Sequence, residues 1–276
     1  MKHLFRHKWL RNVNLIIGCV ILAPFILAAI EPGLLSSYNP LKTSVREMLH
    51  APGSKHWFGT DELGRDVFSR VVHGARVSLP AASITIIIAC TIGVMAGVAA
   101  GYWKGWADRL IMIVTDMLLA FPRIVLAMAI GAALGPSLRS AVLAVAAAWW
   151  PVYARLVRGL TLQIKEQAYV EAAYSIGARP LHTIRKHILP NALSAIIVRI
   201  SLDLGLAVLT LASLGFIGIG VNAPTPEWGA MVSWGRTYFL TEWWIGGFPA
   251  LAITLVVVGT TFLGDALNDI LNPTMN

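Results

Sequence analysis

Four charged side chains, Asp116, Arg123, Arg199 and Asp203, stand inside otherwise apolar stretches of the chain. Each such charge costs about 3 kcal/mol on membrane-insertion scales unless it is paired or hydrated. Arg199 and Asp203 lie four residues apart, on one helix face, and can neutralise each other. Asp116 and Arg123, seven apart, share a face across two turns, with Pro122 loosening the helix between them. Two roles fit these charges: ion pairs that hold helices together, or the lining of a polar path or gate. Trp149-Trp150-Pro151 adds a bulky, kinked point that could constrict a path or pack helices. Gly93, Gly97 and Gly101, spaced by four, would let a second helix approach closely.

Other chemistries find no residues to carry them. No G-x-x-x-x-G-K-[ST] loop occurs, and no lysine follows a glycine, so the chain has no phosphate cradle of its own. There is no H-E-x-x-H, and no nucleophile paired with a base within the apolar stretches. The histidines, His3, His7, His50, His56, His73, His182 and His187, are scattered; His3 and His7 have helical spacing but sit in a basic terminus, so no metal site is expected. Cys19 and Cys90 fall in apolar runs and read as small hydrophobes.

The most informative polar stretch is residues 163–190. Good helix formers run up to Gly177, a residue type that ends helices in the left-handed conformation. Pro180 suits the first turn of a second helix, which Pro190 should end or kink. The result is two short helices meeting at a glycine corner. Ala172 and Ala173 leave a shallow surface, Glu171 a fixed charge, and Arg179, Arg185 and Lys186 follow the corner, so this is a peg shaped for another protein.

A second charged stretch, residues 59–70, allows helical pairs Asp61 to Arg65 and Asp66 to Arg70, with Glu62 and Asp66 repelling. It reads as an amphipathic interfacial helix leading into the next apolar run, or as a contact surface for a partner.

Apolar runs of about 20 residues mark membrane crossings. Residues 12–30, 77–103, 110–135, 138–160, 191–216 and 243–264 give six helices. The first run follows Lys2, Arg6, Lys8 and Arg11; at 19 residues it is too long for a signal-peptide core and reads as an uncleaved anchor. Hydrophobic residues make up 57% of the 276 and charged ones 13%, with a mean hydropathy of +0.68, which excludes a soluble globule. The net charge of +8 is dispersed between apolar runs, which argues against a nucleic-acid binder. With both termini inside, the inner segments carry a net +7 and the outer ones +1, the asymmetry expected of cytoplasmic loops. Trp9, Trp103 and Trp106 then fall at the inner boundary, and Trp228, Trp234, Trp243 and Trp244 at or beyond the outer one, as an interfacial belt.

Glu171-Ala172-Ala173, then Gly177 and Ala178, then Ile188-Leu189-Pro190 resembles the EAA loop in the membrane subunits of ABC importers. His187 fills a slot where that motif commonly has isoleucine. Residues 56–70, the 214–220 stretch leading into Pro224-Thr225-Pro226-Glu227-Trp228-Gly229, and 264–273 are similar to the dipeptide, oligopeptide and nickel branch, in the same order. Asn222-Ala223 stands where the branch often has Gln-Pro, and Asn268 and Asn272 where Arg and Asp are common. The resemblance implies an all-α integral membrane protein with the six-helix type I importer permease fold. Residues 1–76 would form an N-terminal segment with the first helix and an external loop, 77–268 a permease core including the loop at 163–190, and 269–276 a cytoplasmic tail.

It further implies half of a translocation path for dipeptides or oligopeptides, with nickel or a metal chelate as the alternative cargo and a stand-alone channel or secondary transporter disfavoured. The partners it implies are a homologous second permease, two ATP-binding subunits or domains and an external solute-binding protein, in a bacterial inner membrane. This chain would bind no cofactor, ATP and Mg residing on the ATPase subunits. Glu171, Ala172, Ala173, Gly177, Ala178 and Pro190 would couple to the ATPase. Asp116, Arg123, Trp149, Trp150, Arg199 and Asp203 are the path or gate candidates. Asp61, Gly64, Arg65, Asp66, Glu227 and Trp228 are the external contact candidates.

Overall fold

The computed structural model describes residues 12–271, apart from the side chain of Tyr174. The basic residues Lys2, Arg6, Lys8 and Arg11, together with Trp9, His3, His7 and Asn272, lie outside the described residues. Among the described residues ten α-helices follow in order: α1 (Val13–Ile30), α2 (Val67–Trp103), α3 (Gly105–Leu119), α4 (Arg123–Leu134), α5 (Leu138–Lys165), α6 (Ala168–Ser175), α7 (Pro180–Thr183), α8 (Leu189–Phe216), α9 (Trp228–Gly235) and α10 (Trp244–Leu271). No strand occurs among the described residues; a lone antiparallel bridge joins Thr60 and Asp66.

Polar residues cap these apolar rods as their termini demand. Asn12 accepts from the backbone N–H groups of Asn14 and Leu15 to start α1, Asp66 from Ser69 to start α2, Ser137 from Ser140 to start α5, and Glu227 from Gly229 and Ala230 to start α9. Five helical stretches are long and apolar enough to cross a membrane: α1, α2, α5, Pro180–Phe216 and α10. The remaining stretch expected to cross is a sharply bent helix pair. Pro122 does more than loosen the run at 110–135: α3 and α4 meet at 94°, and at 1.5 Å per residue neither half reaches the roughly 30 Å of a hydrocarbon core.

The second span starts at Val67 rather than 77, so the boundary expected after residue 76 falls within a continuous 37-residue helix. Pro190 likewise neither ends nor breaks its helix. Its ring would collide with the carbonyl four residues back, and a π-turn at Ile184–Ile188 takes up the extra residue, so α7 runs on into α8.

The core is built around α2, which packs along α5, α8 and α1. The glycine stripe on α2 faces α5 directly: a Cβ on Gly93 would stand 2.4 Å from Tyr153 Cβ, one on Gly97 2.5 Å from the Ala154 carbonyl oxygen, and one on Gly101 2.7 Å from Thr161 Cβ. Cys90 is buried beside this seam, whereas Cys19 lies on the exposed side of α1. Trp103 and Trp106 are exposed, as a belt requires, but Trp228 and Trp244 are 0% and 8% exposed. They are core anchors whose indole N–H groups donate to the carbonyls of Val71 and Thr60.

Replacing Gly93 or Gly97 by leucine should therefore cost about 1–3 kcal/mol through overpacking and lower the thermal unfolding temperature of the detergent-solubilised protein. Gly159→Ala in α5, where an added Cβ meets nothing within 4 Å, should leave stability within about 1 kcal/mol of the parent.

Candidate functional site: a peg and two charged layers

The functional side chains gather at the two ends of the bundle, with ion pairs between. At one end stands the peg. Val170 and Ala173 of α6 are buried, 0% and 8% exposed, while Glu171 and Ala172 face outward. The shallow surface thus comes from Ala172 alone, because Ala173 packs inward. Gly177 adopts φ +78° and turns the chain between α6 and α7, with nothing within 4 Å of where a Cβ would be. Around the corner Ile176 is 87% exposed and Leu181 61%, and Tyr169 is also exposed. Arg179, Arg185, Lys186 and Pro190 are exposed and Ala178 is half-buried. This is an apolar tip on a helical stalk, ringed by basic groups and carrying one carboxylate.

Between the ends, the charges pair in a pattern the helix-face reading missed. Asp116 of α3 accepts from Arg155 Nη2 of α5 at 2.5 Å, not from Arg123. One turn further along α5, Arg158 grips Asp108 with two bonds, Nε to Oδ1 at 2.6 Å and Nη2 to Oδ2 at 2.8 Å. The spacing 108 to 116 on one helix and 155 to 158 on its antiparallel neighbour is the signal that could have revealed this ladder. Arg123, beyond the bend, lies 5.4 Å over the ring of Trp149. Trp149 is buried and Trp150 half-buried. Arg199 donates through Nε to Asp203 at 2.7 Å, the helix-face pair expected, with Asp203 1% exposed. The Asp116–Arg155 pair is different: its side chains are 62% and 58% exposed on a membrane-depth surface of this subunit.

At the opposite end, residues 59–66 form a buried knot rather than an interfacial helix, which starts only at Val67. Asp61 accepts from the backbone of Leu63 and Arg65 and from Arg65 Nε at 2.7 Å. Arg70, 1% exposed, approaches Asp61 at 3.6 Å instead of pairing with Asp66, and both arginines lie over the Trp234 ring. Asp66 spends its carboxylate on capping α2 and on His56 Nδ1, which donates at 2.8 Å. Glu62 lies 3.3 Å from Arg65. Gly64, at φ +69°, leaves room where a Cβ would sit 1.9 Å from the Ser44 carbonyl oxygen. Asp61, Arg65, Asp66, Glu227 and Trp228 are all buried, so in this arrangement they brace the end of the bundle and present little surface of their own. Glu47 and Lys55 pair nearby; the hydrogen bond holds the Glu47 carboxyl below its usual range and the Lys55 ammonium above its own.

Glu227 accepts from the backbone of Gly229 and Ala230 and from Ser78 Oγ, pinning α9 to α2. Burial pushes its carboxyl up, against the pull of those three bonds.

A bundle of membrane-crossing helices with a projecting helical peg defines a membrane subunit built to engage another protein. Residues 93–276 match the family model for the binding-protein-dependent transport system inner membrane component. The chain is 43% identical to the dipeptide transport system permease protein DppC of Alkalihalophilus pseudofirmus, over 96% of this chain and 87% of the relative. It is 44% identical to the probable D,D-dipeptide transport system permease protein DdpC of Escherichia coli, over 93% and 86%. It is 45% identical to the glutathione transport system permease protein GsiD of Pectobacterium atrosepticum, over 80% and 74%. Among solved structures, an inward-facing form of the MetNI methionine ABC transporter superposes with a TM-score of 0.61 at 20% identity, covering 74% of this chain and 97% of that one, a likeness of fold. The chain belongs to the family of inner-membrane permease subunits of binding-protein-dependent ABC importers. It is a transport subunit and not itself an enzyme.

Exchanging the partners, Asp116→Arg with Arg155→Asp, should recover most of the stability lost in either single variant, read as a double-mutant cycle in unfolding temperature. For Glu227, a raised carboxyl means the folded protein holds the proton more tightly, so its contribution to stability is largest below the ordinary carboxylate range and falls as pH rises through the raised value. The parent should therefore lose stability relative to Glu227→Gln as pH rises above the ordinary glutamate range; a constant difference would contradict the burial effect.

Proposed function

We propose that this subunit forms half of a path for dipeptides or similarly small peptides, driven by ATP hydrolysis on two partner subunits that dock onto its peg. The single observation that carries the docking reading is the glycine corner, which projects Ile176, Leu181 and Glu171 into solvent at the end of a stalk. An exposed apolar tip of this size on a polar end of a membrane protein calls for a partner's cleft. The stalk is also mechanically apt. Because α7 continues through the π-turn into α8, a displacement of the peg is a displacement of a membrane-crossing helix.

The peg and both termini face the cytoplasm in this reading, supported by the basic residues around the corner. ATP and Mg stay on the partner subunits. The exposed Asp116–Arg155 pair supports a homologous second permease or a hydrated path against that face, since lipid would leave it unscreened. The knot at the other end would meet the external solute-binding protein. The names of the relatives favour a peptide over nickel or a metal chelate.

The test uses the full importer in proteoliposomes. Gly177→Ala meets no neighbour and costs only about 1–2 kcal/mol of left-handed backbone, so the subunit should insert. Together with Glu171→Ala it should retain ATP hydrolysis yet lose dipeptide uptake. Parental uptake in both variants would overturn the peg's role, and uptake of nickel chelates but not dipeptides by the parent would overturn the substrate class.

A further inference from the structure

Helices α1 and α10 meet backbone to backbone where Gly18 faces the Gly259 carbonyl, a Cβ there standing 3.0 Å from that oxygen. Two turns further toward the knot the same helices enclose a cavity of about 250 Å³. Every lining residue is apolar: Phe25 and Ala28 come from α1, Leu251 and Ala252 from α10, and the stacked rings of Phe58 and Phe248, 3.8 Å apart, close it toward the knot. Pro24 and Leu251 are exposed, so the cavity opens sideways onto the face that lipid wets.

A second, polar pocket of about 80 Å³ shares two of its walls, Leu35 and Phe68, with the first. Ser36 lines it, 7% exposed, with a hydroxyl that has no hydrogen-bond partner in the structure. Ser37, Lys55 and Asp66 line it too; the Asp66 oxygens are taken by the Ser69 backbone N–H and by His56, while the Lys55 ammonium, 65% exposed, has three N–H donors and gives one to Glu47. Trp57 and Tyr38 flank this pocket, both exposed, and Leu34 beside them is 71% exposed. Exposed aromatic rings with polar tips at this level mark the headgroup zone of a bilayer.

From the shared walls we infer that the two pockets are one phospholipid site: an acyl chain enters between α1 and α10 while the phosphodiester accepts hydrogen bonds from Ser36, Ser37 and Lys55. The lipid belongs to the leaflet on the side of the knot. It fills a void that the side chains of this subunit leave open, and it ties the 31–38 segment and the α1–α10 pair to the membrane. An apolar crevice alone would take any chain; the Lys55 ammonium, together with the serine hydroxyls of the adjoining pocket, favours one that carries a phosphodiester.

The experiment reconstitutes the assembled importer in phosphatidylethanolamine–phosphatidylglycerol vesicles containing a phospholipid with a diazirine at mid-chain, and maps the photoadducts by peptide mass spectrometry. Adducts should concentrate on Phe25, Leu251 and their neighbours. Leu251→Trp, which fills the mouth without touching the helix seam, should remove them and leave adducts elsewhere unchanged. Ser36→Val with Lys55→Gln, which leaves the apolar cavity intact, should reduce them for the phospholipid but not for a diazirine-bearing fatty alcohol. Adducts spread evenly over the subunit, adducts indifferent to Leu251→Trp, or cross-links from this cavity to the second permease in place of lipid would each overturn the site.

Discussion

Helix α2 can lie against α5 only because three side chains are missing from it. The seam made by Gly93, Gly97 and Gly101 brings two backbones to a separation at which any Cβ would collide. In lipid there is little hydrophobic drive between helices, so close van der Waals contact of this kind must supply the association. The consequences run through the bundle. The seam fixes the height at which Tyr153, Trp149 and Arg158 stand on α5, and Arg158 and Arg155 then fix where α3 must run to bring Asp108 and Asp116 within reach. Beyond the sharp turn at Pro122, α4 packs against the same α5.

Charge placement obeys the same constraint. A carboxylate or guanidinium inside a bilayer needs its counter-ion beside it, and both acids within the apolar runs have one, Asp116 with Arg155 and Asp203 with Arg199, while Asp108 at the edge of its run is held by Arg158. At the loop end, Asp61, Arg65, Asp66, Arg70 and His56 are drawn into one buried cluster, and its cost is met by backbone donors and by capping as much as by ion pairing. The two ends of the molecule are therefore unlike: one is a buried, largely ion-paired knot, the other projects an apolar tip that its own subunit leaves uncovered.

That difference suits a machine whose moving parts are engaged from one side. The peg is continuous with α8, and α8 packs on α10, α2 and α9. A π-turn at the junction accommodates Pro190 without a break, so the stalk and α8 form one continuous helical path. The knot gives the opposite ends of α2, α9 and α10 a common anchor through Trp228, Trp244 and Glu227.

Much of this was legible in the order of residues. Apolar runs set off by charge mark the crossings, the glycine spacing marks the tight seam, and the helix formers, Gly177 and Pro180 mark the peg, because these signals are local: they depend on burial length, Cβ volume and backbone conformation at single positions. Arg199 and Asp203 pair as their spacing on one helix predicts, for the same reason. Tertiary structure alone decided the rest. Asp116 turns to Arg155 rather than Arg123 because the 94° bend carries Arg123 away and an antiparallel neighbour brings Arg155 in. Trp228 and Trp244, which read as belt residues, are buried because elements far apart in sequence converge on them. Residues 59–66 form a knot in which Asp61 and Arg65 still pair as their spacing predicts, while Asp66 caps α2 and turns to His56, and Arg70 turns to Asp61 instead of Asp66. Local spacing sets which residues can pair, and the three-dimensional path of the helices sets which of them do.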